Sequence, residues 1–315
     1  CDNCSIWFDD FQDFGYNIFM KKMLVAVSGG VDSVVLLDFL VRFFRNKNGQ
    51  KWLEENLIVA HFEHGIRGEE SKQDLKFVEE LAAKYGVKFE FENGNLGENS
   101  SEEQARNARY IFLRKIAKRE NAIIFTAHHK NDLAETFALN LARGGGWRAV
   151  ACFNSPDIER PFLRFSKLEI LKMAKQQGLV WREDSTNFSQ KYTRNRIRKT
   201  LNFSEKDLES IFKIWQRQTE LRREIEKITQ EILFEIGDGQ KFERDFFRIN
   251  SDEVCYEILR EIMIRQSGKI PLSKQVWDFL HAIRTFKNGS KTQILGGYEV
   301  MFSRSHWSFI STIIS

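Results

Sequence analysis

The chain has 315 residues, 42% of them hydrophobic and 29% charged, with a formal net charge of +4. That length suits two domains of roughly 100–200 residues each, and the composition is that of a soluble globular protein. No run of about 18 apolar residues occurs, so no membrane-spanning helix is expected. So small a net charge leaves any nucleic-acid binding to local basic clusters.

Residues 1–22 read as an N-terminal extension. The first 20 carry aspartates and no lysine or arginine, unlike a secretory signal, and Cys1 in place of methionine points to a missing or altered natural start. Four cysteines, Cys1, Cys4, Cys152 and Cys255, are too few and too scattered for a disulfide framework, which fits a cytoplasmic protein. Cys1 and Cys4 have a Cys-x-x-Cys spacing, but no second pair answers it.

The pattern predicts a strand over Met23–Val27, a helix over Val31–Phe44, a strand over Leu57–Phe62 and a helix over Ser71–Tyr85. A strand over Val87–Phe91, a helix over Ser101–Glu120, a strand over Ala122–Thr126 and a helix over Asp132–Ala142 follow. Strands alternating with helices imply an α/β domain with a mostly parallel, Rossmann-like sheet, covered on both faces. Ligands of such sheets bind beyond the carboxyl ends of the strands.

Past Thr200 the strand signal fades. Ser204–Phe234 reads as one long helix of alternating charge, best taken as a solvated connector. Gly237-Asp238-Gly239 breaks it, and helical stretches at Asp252–Ile264 and Lys274–Ile283 precede late strands set off by Lys287-Asn288-Gly289 and Gly296-Gly297. The expected organisation is a catalytic domain over 23–203, a connecting helix over 204–236, and a small α+β domain over 237–315.

Ser28-Gly29-Gly30-Val31-Asp32-Ser33 lies between the first strand and the first helix. Unpaired N–H groups and the helix dipole at such a junction favour an anion, and glycines let phosphate come close. The lysine of a GxxxxGK[ST] loop is absent, and Asp32 stands there instead. A carboxylate beside phosphates points to Mg²⁺ as a bridging ion, with first-turn service to the helix dipole as its plainer role. Such a loop suits holding pyrophosphate while chemistry proceeds at the α-phosphate.

SGGVDS resembles the pyrophosphate loop of the N-type ATP pyrophosphatases, the PP-loop ATPases with an adenine nucleotide alpha hydrolase-like fold. Further segments resemble one branch, the tRNA(Ile)-lysidine synthetases. These are AHFEHGIR at 60–67, EEQARNARYIFLR at 102–114, TAHHKNDLAE at 126–135, RGGG at 143–146 and RPFL at 160–163. The fullest is EDSTNFSQKYTRNRIR at 183–198, although the proline that often follows this motif is missing. No diagnostic motif appears beyond about Leu201.

The resemblance implies a ligase that uses ATP and Mg²⁺. It would adenylate the wobble cytidine of an isoleucine tRNA with a CAU anticodon, then let free L-lysine displace AMP to give lysidine. It implies Asp32, Arg109 and His128 as catalytic residues, with Arg106 as a companion of Arg109, and Ser28 to Ser33 as the ATP-binding loop. It implies tRNA contact by Arg194, Asn195 and Arg198 and by the small domain, and leaves room for a homodimer. Residues 181–200 hold six basic residues against two acidic ones, with Phe188 and Tyr192 interleaved, a mixture suited to an anticodon loop.

Asp132 and Glu135 are three positions apart and share a helix face. That face suits the amines of a lysine, and an Asp-x-x-Glu capping box is an equal explanation. His61, His64, His128 and His129 lack a cysteine partner and the usual three or four ligands of a zinc site. Two alternatives stand beside the ligase: a tRNA cytidine thiolase, disfavoured because Cys152 is the one cysteine between 23 and 200, and a non-catalytic RNA-binding protein.

Overall fold

The structure, a computed structural model, describes residues 21–63, 69–94, 100–182, 202–237 and 239–310. The chain divides into two compact units between Thr219 and Glu220.

The first unit opens with β1 (Lys22–Ala26), α1 (Val31–Asn48), α2 (Gln50–Asn56), β2 (Leu57–Glu63), α3 (Glu69–Tyr85) and β3 (Lys88–Asn93). It continues with α4 (Glu102–Glu120), β4 (Ala122–Phe125), α5 (Lys130–Ala142), the short α6 (Trp147–Val150), β5 (Ile158–Glu159) and α7 (Lys167–Gln176). The five strands are ordered β3-β2-β1-β4-β5, and each neighbouring pair is parallel. A parallel α/β sheet is what the alternating pattern predicted.

The central strands are apolar on both faces, so they read as continuous hydrophobic runs. Met23 and Val25 of β1 face one way, into a core shared with Val34, Leu37 and Val41 of α1, Val78 of α3 and Ile170 of α7. Leu24 between them faces the other way, with Ile58 and Ile124, onto Tyr110, Leu113 and Ile116 of α4. Burying each such side chain contributes about 1.5–3 kcal/mol. Besides the short α6 and β5, two helices of this unit were not predicted, α2 and α7. The second has a legible start: Ser166 is fully buried, and its side chain accepts the Glu169 N–H while Glu169 accepts the Ser166 N–H.

A long helix, α8 (Glu205–Ile236), contains the boundary between the units. Its first half is more than a solvated connector. Trp215 Nε1 donates to the Cys152 carbonyl at 2.7 Å, and Lys130 Nζ lies 2.6 Å from Glu209 Oε2.

The second unit adds β6 (Lys241–Glu243), α9 (Arg244–Ile249), α10 (Asp252–Ser267), α11 (Ser273–Thr285), β7 (Lys291–Gln293), β8 (Glu299–Phe302) and β9 (His306–Ile310). The strands form an antiparallel sheet in the order β6-β9-β8-β7. Its core centres on the fully buried Trp307, whose ring stacks on Phe242 at 4.6 Å. The equally buried Arg244 donates to the carbonyls of Ile283, Phe286 and Ser303, which satisfies a cation far from solvent.

No described helix is long and apolar enough to cross a membrane.

Candidate active site at the carboxyl ends of β1 and β4

The order β3-β2-β1-β4-β5 reverses direction between β1 and β4. At such a switch point the loops leaving the two strands part to opposite sides and open a crevice. The loop after β1 is Val27–Gly30, and the loop after β4 is Thr126–His129. Both candidate segments therefore meet at one edge of the sheet.

The first loop is wound on itself by its serines. Ser33 Oγ donates to the Gly30 carbonyl at 2.9 Å, accepts the Ser28 N–H at 3.2 Å and lies 3.2 Å from Ser28 Oγ. Gly29 has φ +91°, a left-handed conformation that favours glycine. At Gly30 a Cβ would meet only Ser28 Oγ, at 3.5 Å, so the backbone itself does not demand glycine there and the turn is open to a close ligand. Gly30 is also the N-cap of α1, and no side chain caps that helix. The first-turn N–H groups of α1 are thus left for an anion.

Two contacts fix the loop from outside. The buried His61 places Nδ1 2.8 Å from the Val27 carbonyl, and burial lowers its pKa, which keeps it a neutral donor. The Arg182 N–H donates to the Gly29 carbonyl at 2.9 Å, while its guanidinium binds Asp74 and Gln73, each at 2.9 Å.

Asp32, in the first turn of α1, has an unforeseen partner. Lys167 Nζ sits 2.6 and 2.7 Å from its two carboxylate oxygens. His129 Nε2 lies 3.9 Å from Asp32 Oδ2 and 3.5 Å from Asp132 Oδ2.

The second loop starts α5 two residues earlier than predicted, because His129 acts as its cap. His129 Nδ1 accepts the Asp132 N–H at 3.4 Å, and Asp132 Oδ2 accepts the His129 N–H at 3.1 Å. The capping box is therefore His129–Asp132, not Asp132–Glu135. An imidazole lone pair has done the work expected of a carboxylate, and it leaves the hydrogen on Nε2, toward both aspartates. Glu135 is buried one turn further along the same helix.

His128 stands apart from this pair. Its Nδ1 is 2.8 Å from Thr126 Oγ1, and its ring lies 5.0 Å from the Phe153 ring. Burial pushes its pKa down to about 3; Asp132 opposes the fall, and Arg160, Arg109 and Arg106 add to it. It is a neutral imidazole at pH 7. Arg106 and Arg109 lie over the Tyr110 ring at 5.1 and 5.5 Å. Arg160 is buried, donates to the Phe153 and Ile158 carbonyls at 2.7 and 3.3 Å, and keeps an unpartnered Nε. Phe153 itself has φ +60°, a strained value for a side chain of that size.

The structure thus assembles Ser28 to Ser33, Asp32, Asp132 and His128 at one edge, with Arg106 and Arg109 near enough to His128 to oppose its protonation. Arg194, Asn195 and Arg198 lie outside the described residues, as does His64. Sequence reasoning missed Lys167, His129 as a cap, and the buried state of Arg160. Among the described residues no three His, Cys, Asp or Glu side chains gather as metal ligands.

Residues 9–205 match the PP-loop domain family. A tRNA(Ile)-lysidine synthase from Thermosipho africanus is 34% identical over 309 residues, taking in 91% of this chain and 68% of that protein. The enzyme of the same name from Thermotoga maritima is 33% identical over 270 residues, 80% of this chain and 62% of that protein. Among solved structures, the U34-tRNA thiolase NcsA from Methanococcus maripaludis with its [4Fe-4S] cluster superposes with a TM-score of 0.55 at 16% identity. That match covers 70% of this chain and 81% of the thiolase, and it shows a common fold. By these matches the chain belongs to the PP-loop domain family and, within it, to the tRNA(Ile)-lysidine synthases.

Proposed function

We propose that the chain ligates free L-lysine to the wobble cytidine of a CAU-anticodon isoleucine tRNA at the expense of ATP. The observation that carries the proposal is the pairing, at one sheet edge, of an uncapped glycine loop with a buried histidine kept neutral by burial and by the charges of three arginines.

The reaction divides in two. The cytidine 2-carbonyl oxygen attacks the α-phosphorus of ATP; an O–P bond forms, the bond to the β-phosphate oxygen breaks, and pyrophosphate leaves. The ε-amine of lysine then attacks C2, AMP departs with the C–O bonding pair, and the nitrogen loses a proton. A carbonyl oxygen becomes a good leaving group only once AMP is attached.

In this assignment the first-turn N–H groups of α1 and the Ser28 and Ser33 hydroxyls hold the pyrophosphate portion. Arg109 and Arg106 balance negative charge developing at the α-phosphate. His128, neutral and held at Nδ1 by Thr126, offers Nε2–H to a phosphoryl oxygen without adding charge. Asp132 and Glu135 receive the lysine amines, and Arg194, Asn195 and Arg198 with the small unit contact tRNA. The donor chemistry fits Mg²⁺: Asp32 would hold it through one carboxylate, with phosphate and water oxygens completing the shell. Bound there, Mg²⁺ would neutralise phosphate charge.

A sulfur-transfer role fits less well. Burial pushes the thiol of Cys152 up to about 11, so it carries little thiolate. A tRNA substrate fits a cytoplasmic location.

The test is incubation of unmodified CAU-anticodon tRNA with ATP, Mg²⁺ and labelled lysine. Label in the wobble nucleoside, with equal AMP and pyrophosphate, is expected. A folded protein that binds ATP yet transfers no lysine refutes the proposal.

A further inference from the structure

The loop between β1 and α1 lacks the lysine that phosphate loops commonly use, yet a lysine is present at its mouth. Lys167 comes from α7, 135 positions after Asp32. Its ammonium bridges both carboxylate oxygens, at 2.6 and 2.7 Å, and the two side chains stay 37% and 30% exposed.

Three observations make this more than a surface ion pair. First, Lys167 occupies the first position of α7, where the helix dipole disfavours a cation. Its charge does not serve its own helix. Second, its backbone is fixed: its N–H donates to Asn131 Oδ1 at 2.9 Å, the Lys130 N–H donates to the Phe165 carbonyl at 2.8 Å, and the preceding Ser166 is wholly buried. Only the flexible stem is left to move, and it is rooted between the starts of α5 and α7. Third, the pair sits on the first turn of the one site helix whose N-terminus no side chain caps; α5 and α7 are both capped by side chains.

Charge explains the arrangement. An anionic Asp32 beside an anion seat repels phosphate unless a cation masks it. His129 Nε2, at 3.9 Å, is too distant to do so by a direct hydrogen bond. Lys167, in direct contact with both carboxylate oxygens, does so.

We propose that Lys167 is the phosphate-binding lysine of this site, supplied from α7 instead of from the loop. Its ammonium rests on Asp32 in the structure. When a pyrophosphate group enters the loop, the ammonium turns to the phosphate oxygens and frees the Asp32 carboxylate for a divalent cation. The inference rests on the reading of this loop as a pyrophosphate seat. The exchange swaps one charge-assisted hydrogen-bond partner for another, so the cation is never left unpaired.

The test is calorimetric titration of the full chain with inorganic pyrophosphate, with and without Mg²⁺. Lys167→Met weakens binding by about 10- to 100-fold, the value of a hydrogen bond to a charged group. Lys167→Arg restores it to within a few-fold. Melting temperatures of both variants stay near that of the parent, because a half-exposed ion pair contributes little to stability. Asp32→Asn binds pyrophosphate more tightly than the parent without Mg²⁺ and loses the gain that Mg²⁺ brings.

Parent-like affinity in a folded Lys167→Met protein overturns the proposal, as does a parent chain that binds no pyrophosphate. Pyrophosphate binding that needs Lys167 in a chain that transfers no lysine to tRNA leaves this inference standing and removes only the tRNA assignment.

Discussion

Ser33→Ala removes a single buried oxygen whose hydrogen-bonding capacity is fully used. The hydroxyl has one hydrogen and two lone pairs. The hydrogen goes to the Gly30 carbonyl at 2.9 Å, and the lone pairs face the Ser28 N–H and Ser28 Oγ, both at 3.2 Å. Each such bond contributes about 0.5–1.5 kcal/mol net. The losses do not sum in full. Gly30 O keeps the Val34 N–H at 3.1 Å, and Ser28 is exposed, so its groups turn to water. The expected cost is about 1–2 kcal/mol, or a melting drop of roughly 2–8 °C for a unit of this size. The released loop also holds phosphate less well, by about tenfold for each 1.4 kcal/mol of lost order. Thermal denaturation followed by circular dichroism gives the first number, and titration with a non-hydrolysable ATP analogue gives the second. Unchanged melting together with unchanged affinity would refute the claim that Ser33 shapes the loop.

Gly29→Ala keeps room for its methyl group, since Phe77 and Val78 stand at 3.6 Å, but strains φ at +91°. A loss of about 1–2 kcal/mol and weaker ATP-analogue binding are expected in the same two assays, and silence in both contradicts the assigned turn. For His128 the folded pKa lies below the unfolded one, so its contribution is complete above pH 6.5 and is lost as pH falls toward about 3. The loss reaches at most about 5 kcal/mol. His128→Asn therefore flattens the acid limb of urea stability, and imidazole NMR shows no protonation of His128 above pH 5. Tyr85→Phe removes the 2.8 Å bond from Tyr85 Oη to the buried Asp38, whose other partner Arg42 stays at 2.8 Å. It lowers stability by about 1–3 kcal/mol with ATP-analogue affinity intact; a parallel fall in affinity means the site senses this network.

The central strands were legible because they are apolar on both faces, and β3 because its residues alternate; the two-residue β5 carries no such signal. The helix predicted over Ser101–Glu120 matches α4 to within one residue, Ser101 being its cap. What stayed hidden has a common cause in distance or in chemistry. Lys167 and Asp32 are 135 positions apart, and no local pattern links them. Ser166-x-x-Glu169 was a readable start for α7, overlooked because the helix is short and follows a proline-led turn. His129 escaped notice because imidazole is an uncommon cap. Arg160 was read as part of a family segment, and nothing in RPFL announces that its guanidinium is buried against Phe153. The Ser28–Ser33 turn between β1 and α1 was legible; the lysine that reaches its Asp32 from α7 was not.

The bare start of α1 has a thermodynamic consequence. Gly30 supplies no side-chain cap, so under the proposed function phosphate oxygens would complete the first turn of α1. A ligand bound only to the folded form adds RT ln(1 + [L]/Kd) to stability, about 2.7 kcal/mol at a hundredfold excess over Kd. The nucleotide is then a building component of the fold as well as its fuel, and the melting point becomes a gauge of how full the seat is.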